Sequence, residues 1–316
     1  MWKVFSGRFL GWSLGAKDTA NVFGTGVATG TITYRRAVCL TAGFVLIGAL
    51  LEGPKCMGTL GALSYMDAFD AFVCALAATI TMTVLTFLGL PASTSQAIVG
   101  AITGIGILTG SADFEKLYLI VICWIFTPVG GIIIAYTLQK VLTFVLDLAV
   151  PSLTLRNFIY SAGIIISGCY AAYSLGGNNV ANVTGVYVSA GMLSVQAATL
   201  LGGLSIAVGT LTYSRKVMLS VGKGIVPLDP FSALIAVLAE ALTLHVFTQI
   251  GVPVSSSQAV VGAIVGVGLV RDSRTVSKRM LIRIGAGWIF TPLAAGLIAM
   301  SVVKLHIVIS KGMNFF

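Results

Sequence analysis

Apolar stretches of roughly membrane-spanning length, separated by short polar segments, dominate the pattern of this chain. Each half contains five of them. A transmembrane helix needs about 20 mainly apolar residues, and the fourth stretch of each half is near or below that limit. The third and fourth stretches could therefore form a hairpin that enters the membrane and returns. We predict an all-α polytopic membrane protein from stretches near residues 4–24, 36–52, 68–90, 94–110 and 117–148 in the first half, and 158–184, 192–213, 230–250, 256–270 and 282–309 in the second.

Three motifs occur twice in the same order, so the two halves are repeats of one another. Their first residues are Ser13 and Ser174 (SLGAKDTANVFG, SLGGNNVANVTG), Gly89 and Gly251 (GLPASTSQAIVGAITG, GVPVSSSQAVVGAIVG), and Trp124 and Trp288 (WIFTP in both). The offsets of 161, 162 and 164 residues hardly change along the chain. Each half makes an odd number of crossings, which inverts the second half relative to the first. We predict two inverted-topology repeats, residues 1–150 and 151–316, with broken helices or re-entrant hairpins at the substrate site.

Composition and charge narrow the class of protein. Hydrophobic residues make up 57% of the chain and charged residues 9%, with a mean hydropathy of +1.01, whereas a soluble domain carries about a quarter charged residues. The net charge of +9 is spread between apolar stretches, as in membrane loops, which argues against nucleic-acid binding. The positive-inside rule then predicts a plasma (inner) membrane protein with both termini outside the cytoplasm. The hairpin alternative would move Lys116 and the basic cluster between Arg271 and Arg283 to the opposite sides.

A polar segment interrupts the first apolar stretch of each half. Its members are Lys17, Asp18, Thr19 and Asn21 in the first half, and Asn178, Asn179 and Asn182 in the second. Polar groups at membrane depth are costly unless they face a cavity or each other. Flanking glycines such as Gly15 and Gly176 predict unwinding of the helix there, which would expose backbone N–H groups to an anion. Two alternatives remain: the amides could join helices, and Lys17 could simply neutralise Asp18.

A Ser-rich motif follows a proline in each half. It comprises Ser93, Thr94, Ser95 and Gln96 after Pro91, and Ser255, Ser256, Ser257 and Gln258 after Pro253. A proline followed by serine ends one helix and caps the next, and capping explains part of the motif. One hydroxyl is enough for a cap, yet each motif supplies three hydroxyls and an amide. We therefore predict that the two helix N-termini converge on the same anion.

Both paired motifs resemble those of the inorganic phosphate transporter (PiT) family, and the resemblance covers nearly the whole chain. GAKDTANVFGT and GGNNVANVTG resemble its paired G-A-N-D-x-A-N signatures, and the Ser-rich motifs resemble its Pro-Ser/Thr motif. The resemblance implies ion-coupled uptake of a tetrahedral oxyanion, an inverted-repeat core and a homodimer. This chain departs from the family pattern at Lys17 (Asn), Asn179 (Asp), Val45 (Glu), and Gln96 and Gln258 (often His).

These departures add hydrogen-bond donors and positive charge, and they remove carboxylates. Sulfate carries no proton at neutral pH and only accepts hydrogen bonds, whereas phosphate has a proton to donate. We therefore predict symport of sulfate, or of a close analogue such as thiosulfate, with protons favoured over sodium as the coupling ion. Asp18 is the first candidate for the coupling proton and Glu240 the second, although Glu240 could equally be a polar lock between helices.

Three alternatives stay open at this point. The first is an inorganic phosphate symporter, and the second is a passive anion channel. The third, a membrane enzyme, is disfavoured because H-E-x-x-H, G-x-S-x-G and nucleotide-loop motifs are missing from the sequence. Neither a cofactor nor a metal site is predicted.

Overall fold

The computed structural model describes residues 2–87, 92–224, 228–271 and 278–313, and it is all-helical over these ranges. A short 3-10 turn, Trp2–Val4, precedes α1. The helices are α1 (Phe5–Ala28), α2 (Tyr34–Gly61), α3 (Ala68–Phe87), α4 (Thr94–Thr109), α5 (Phe114–Ala149), α6 (Leu153–Ser189), α7 (Val195–Gly224), α8 (Pro230–Ile250), α9 (Ser256–Arg271) and α10 (Lys278–Met313). The predicted all-α class is confirmed. Most of the Arg271–Arg283 cluster used in the orientation argument lies outside the described side chains.

Seven of the described helices are long and apolar enough to cross a membrane: α2, α3, α5, α6, α7, α8 and α10. Helix α1 has 24 residues but carries Arg8, Lys17 and Asp18. Helices α4 and α9 have 16 residues each, so they are too short to span about 30 Å of hydrocarbon. Each short helix packs against the helix before it, α3 with α4 and α8 with α9. These two pairs have the form of the predicted hairpins.

Every major contact between the halves has a counterpart. Helix α1 packs on α7 as α2 packs on α6, and α4 packs on α10 as α5 packs on α9. A Cβ added at Gly15 would lie 1.9 Å from the Ile206 carbonyl oxygen, and one at Gly176 would lie 2.0 Å from that of Val45. Both pairs are related by the same offset of 161 residues, 15 to 176 and 45 to 206. The repeat read from the sequence is therefore present in the packing.

The directions of the paired helices bear on the inversion. Along α4 and α10, Gly100 meets Pro292 and, one turn later, Gly104 meets Gly296, so these two helices run parallel. If the halves were direct repeats, α9 would run in the same direction as α4, and the following helix, α10, would run antiparallel to α4. In inverted repeats α9 runs opposite to α4, so α10 runs parallel to α4. This packing supports the inverted arrangement, which remains a prediction because its orientation in a membrane is untested.

The predicted unwinding of the first helix of each half is wrong. Helices α1 and α6 run without interruption through Lys17–Asn21 and Asn178–Asn182. The glycines serve a different purpose, because the missing Cβ atoms of Gly15 and Gly176 let a neighbouring backbone approach. The polar side chains find partners on the hairpin tips, so the backbone does not need to open.

Candidate functional site

The tips of the two hairpins meet beside α1 and α6. The Ser95 hydroxyl, at the start of α4, donates to the Val254 carbonyl just before α9, at 2.7 Å. Ser93 caps α4 by accepting from the Gln96 N–H, and Ser255 caps α9 by accepting from the Gln258 N–H. One hydroxyl of each motif thus caps a helix, so capping explains part of each motif. The two helix N-termini lie together through the contact between Ser95 and Val254, and their convergence on an anion stays a prediction.

Asn178 holds the tip of the α8–α9 hairpin. Its oxygen accepts from the Val254 N–H at 2.9 Å. Its amide nitrogen donates to the Thr248 hydroxyl at 3.0 Å and to the Val252 carbonyl at 3.3 Å. The residue is fully buried, and all of its hydrogen-bonding capacity is used within the protein. Asn178 therefore has the geometry of a clasp, in contrast to the substrate donor predicted from the sequence.

Asn182 and Asn179 form a chain of hydrogen bonds with a fixed direction. Because the Ser95 hydroxyl donates to Val254, it must accept from the Asn182 amide nitrogen, which lies 2.8 Å away. The same nitrogen donates to the Asn179 oxygen at 3.0 Å. One donor, the Asn179 amide nitrogen, and one acceptor, the Asn182 oxygen, are left buried without a partner among the described residues. The hydrogen-bonding capacity of these two atoms is unused among the described residues.

The equivalent positions on α1 are built differently. Lys17 donates to the Ala92 carbonyl at the tip of the α3–α4 hairpin, as Asn178 holds the other tip. Asp18 accepts from the Ser256 hydroxyl at 3.1 Å, and its second oxygen lies 4.0 Å from the Lys17 amine. The Lys17 side chain is 27% exposed, against 3% for Asp18. This side of the site is charged and reachable, and the α6 side is neutral and closed.

The remaining predicted site residues lie around this centre without a direct link to it. Thr94, Gln96 and Gln258 are buried, and Asn21 and Ser257 are partly buried. The side-chain oxygens of Gln96 and Gln258 have no partner among the described residues, and rotation of either amide would present a donor in place of the oxygen. These five residues line the region but are not fixed within it.

Glu240 lies on α8, buried completely, and neither carboxyl oxygen has a partner in the described part of the chain. Its helix packs against α1, which carries Asp18. A lone carboxylate in an apolar interior costs several kcal/mol, so the site demands a proton or a cation there. The polar-lock alternative needs a partner on another helix, and the described residues supply none.

Sequence reasoning missed the residues that hold Asn178. Thr248 and Val252 flank the end of α8, and Cys56 of α2 lies 3.9 Å from the Asn178 amide nitrogen. It also missed Glu52 and Lys55, which contact Gln249 of α8. The only signal in the sequence was the presence of charged and amide groups within apolar stretches, which does not reveal their partners.

Comparison with known proteins identifies the class and then the family. A multi-helix membrane fold with two hairpins meeting at a buried polar centre defines an integral membrane transporter. Residues 14–299 match the phosphate transporter family, and the chain belongs to that family. It is similar to a solved structure titled "The sodium-dependent phosphate transporter", with a TM-score of 0.84 and 22% identity over 97% of this chain and 98% of the other. That likeness shows the fold.

Relatives carry two different substrate names. A protein of Methanocaldococcus jannaschii named "Putative phosphate permease" is 28% identical, over 94% of both chains. The sulfate permease CysP of Bacillus subtilis is also 28% identical, over 95% of this chain and 86% of its own length. The family resemblance read from the motifs is thus confirmed. The two identities are equal, so they do not choose between the anions.

Proposed function

We propose that this chain is a secondary transporter that moves a tetrahedral oxyanion across the membrane by alternating access, with sulfate as substrate and protons as coupling ions. The observation that carries the proposal is the set of free donors around the two helix N-termini. The Lys17 amine donates to Ala92 at the tip of the α3–α4 hairpin, and the Asn179 amide nitrogen is a buried donor without a partner among the described residues. The N-termini of α4 and α9 add the positive ends of two helix dipoles.

Sulfate is favoured by the chemistry of these donors. A doubly charged anion without protons is stabilised by an ammonium group and by N–H donors, and it has nothing to offer an acceptor. Lys17 supplies the charge at the reachable side of the site, and Asn179 supplies a neutral donor at the closed side. The sulfate permease among the relatives supports the same substrate.

Phosphate is the second candidate, and specific atoms favour it. The Asn182 oxygen and one Asp18 oxygen are buried acceptors without a hydrogen-bond partner in the described chain. Hydrogen phosphate has a hydroxyl that could donate to either of them. Most of the named relatives are phosphate permeases, and the structural neighbour is a sodium-dependent phosphate transporter. Phosphate thus fits these two buried acceptors at least as well as sulfate does.

Competition in proteoliposomes tests the choice of anion. Uptake of labelled sulfate is measured against increasing unlabelled phosphate, and uptake of labelled phosphate against unlabelled sulfate. Strong inhibition of phosphate uptake by sulfate, with weak inhibition in the reverse direction, supports sulfate. The opposite ranking would make phosphate the substrate. Accumulation against a gradient excludes a passive channel, and uptake that only equilibrates contradicts the transporter.

Asp18 and Glu240 are the proposed coupling residues. They are two buried carboxyl groups on helices that pack together, α1 and α8, and a proton on either would remove the cost of a buried charge. In Glu240→Gln we expect exchange of internal for external sulfate to persist, while uptake driven by an imposed proton gradient is lost. Proton-driven uptake at the wild-type rate would reject Glu240 as a coupling residue. Replacing the proton gradient with a sodium gradient tests the other coupling ion in the same vesicles.

A further inference from the structure

A polar cluster that contains none of the proposed anion ligands joins α2 to the tip of the α8–α9 hairpin. Lys55 forms an ion pair with Glu52 one turn earlier. Its amine also donates to the Gln249 side-chain oxygen at 2.7 Å, and the Gln249 amide nitrogen donates to Glu52 at 3.0 Å. The three side chains close a ring of hydrogen bonds between two helices that are far apart in sequence. We call Glu52, Lys55 and Gln249 the α2–α8 bridge.

Further contacts reinforce this bridge from the neighbouring helices. The Tyr173 hydroxyl of α6 donates to the other Glu52 oxygen at 3.0 Å. The His245 ring, one turn before Gln249, lies 3.0 Å from its amide nitrogen and stacks against Tyr173. Glu52 is therefore held by three helices. A carboxylate with this many donors fixes the hairpin against α2 in one position.

The α2–α8 bridge lies directly beside the anion site. Cys56 follows Lys55 and touches Asn178, and Thr248 precedes Gln249 and accepts from Asn178. Any movement that separated α2 from the hairpin tip would therefore uncover the closed, α6 side of the site. The bridge itself is partly exposed, with 41% of the Lys55 side chain accessible. Charged groups inside a spanning helix avoid lipid, so this exposed edge is expected to face water.

The sequence of this bridge is not repeated in the other half. At the repeat offsets, Glu52 corresponds to Tyr213 and Gln249 to Phe87. Tyr213 packs against Trp12, with ring centroids 5.6 Å apart. The carboxylate and the amide that close the ring are therefore replaced by aromatic residues at the equivalent positions of the other half.

We propose that the α2–α8 bridge is a gate that closes one of the two access routes to the anion site. The gate rests on the proposed alternating-access function. With the gate closed, the site is reached from the Lys17 side, where the side chain is partly exposed, and Asn178 and Asn182 are sealed. Opening on the other side requires the ring of hydrogen bonds to break. Glu52 and Gln249 thereby set access and do not bind the anion.

Cys56 provides a native reporter for this gate. It is fully buried behind Lys55, and replacing Cys39, Cys74, Cys123 and Cys169 with Ala leaves it as the single thiol. Purified protein in liposomes is treated with a membrane-impermeant methanethiosulfonate reagent, added outside or trapped inside. We expect Gln249→Ala and Glu52→Gln to raise the Cys56 modification rate about three- to tenfold from one side only, the effect of losing one or two hydrogen bonds.

A second ion pair of the same kind serves as the matched control. Asp113 and Lys116 are also spaced i,i+3, at 3.2 Å, but they lie at the start of α5 away from the hairpin tips. Asp113→Asn keeps a helix-capping residue and should leave the Cys56 modification rate unchanged. Equal rates in the Gln249→Ala and Asp113→Asn variants, in protein whose melting temperature is unaltered, would overturn the gate. A rise from both sides would also contradict it, because it would report loosening of the whole fold.

This measurement separates the gate from the proposed function. The modification rate does not depend on which anion is carried, or on whether any anion is carried. One-sided changes in Cys56 access, combined with no uptake of sulfate or phosphate, would retain the gate and reject the transported anions. Normal uptake with unchanged Cys56 access would retain the transporter and reject the gate.

Discussion

Helices α1 and α6, which flank the site, are the equivalent first helices of the two repeats, but their polar side chains make different contacts. On α6, Asn178 spends every donor and acceptor on the hairpin tip, and Asn182 uses both amide hydrogens within the protein. On α1, Lys17 makes one hydrogen bond to its hairpin and remains partly exposed. Duplication therefore preserved the scaffold while the chemistry of the two halves diverged. The described contacts of Asn178 and Asn182 lie within the protein, whereas Lys17 and Asp18 carry the charge.

The largest effects should come from the scaffold, where the halves are still equivalent. Gly15→Leu and Gly176→Leu each place a side chain against a backbone carbonyl that a Cβ alone would approach to 1.9 Å or 2.0 Å. Overpacking of this kind costs about 3 kcal/mol or more, because neither backbone can move away without separating two helices. Thermal unfolding in detergent should show both variants losing the folded state. Gly43→Leu, where nothing lies within 4 Å, is the matched control. A clear difference between Gly15→Leu and Gly176→Leu would mean that the two helix pairs are not equivalent.

The next largest effect should be on stability at the closed side of the site. Asn178→Ala would leave the buried Val254 N–H without an acceptor and the Thr248 hydroxyl without a donor. An unsatisfied buried group costs about 1–3 kcal/mol, so we expect a loss of about 2–4 kcal/mol in unfolding free energy, measured by chemical denaturation in detergent. Asn178→Ala with wild-type stability but greatly weakened anion binding would show that Asn178 is a ligand and not a clasp.

A change at Lys17 should have the opposite signature. Lys17→Asn removes a charge from the reachable side of the site, and a hydrogen bond from a charged group is worth about 1.5–3 kcal/mol. Sulfate affinity, measured by calorimetry on purified protein, should fall by about tenfold to a hundredfold. Loss of the hydrogen bond to Ala92 should lower the unfolding free energy by less than Asn178→Ala does. Lys116→Asn, in the first turn of α5, is the control. Wild-type sulfate affinity in Lys17→Asn would reject its role as a direct ligand.

Much of the fold could be predicted from the sequence because membrane helices obey simple rules of length and polarity. The ten apolar stretches, the repeat and the two short hairpin helices all followed from local pattern. The continuity of α1 and α6 could not be predicted. Whether a buried Asn unwinds its helix depends on partners elsewhere, and here Val252 and Val254 of a distant hairpin supply them. The local sequence shows that a buried polar side chain needs hydrogen-bond partners, but it does not show which residues supply them.

The candidate site shows the same limit. The sequence placed Asn178 and Asn179 in one class, yet only Asn179 retains a free donor. Within each Ser-rich motif, the caps Ser93 and Ser255 follow from spacing, whereas the bridging roles of Ser95 and Ser256 depend on which hairpin faces which helix. The α2–α8 bridge could not be predicted from the sequence at all. Its residues are joined by tertiary contacts alone, and no motif or repeat marks them.

The smallest expected effect tests the part of each Ser-rich motif that the halves still share. Ser93→Ala and Ser255→Ala each remove one helix N-cap, at 3.4 Å and 3.3 Å from the N–H that it serves. Cap removal costs about 1 kcal/mol, so both variants should lose a similar, small amount of unfolding free energy, and Ser93→Thr and Ser255→Thr should restore most of it. Ser95→Ala breaks the chain from Asn182 to Val254 instead, and it should weaken anion binding as well as stability. Loss of sulfate binding in Ser93→Ala or Ser255→Ala, with stability unchanged, would contradict the division between capping and bridging hydroxyls. The anion would then lie closer to the helix ends than the contacts of Ser95 and Ser256 indicate.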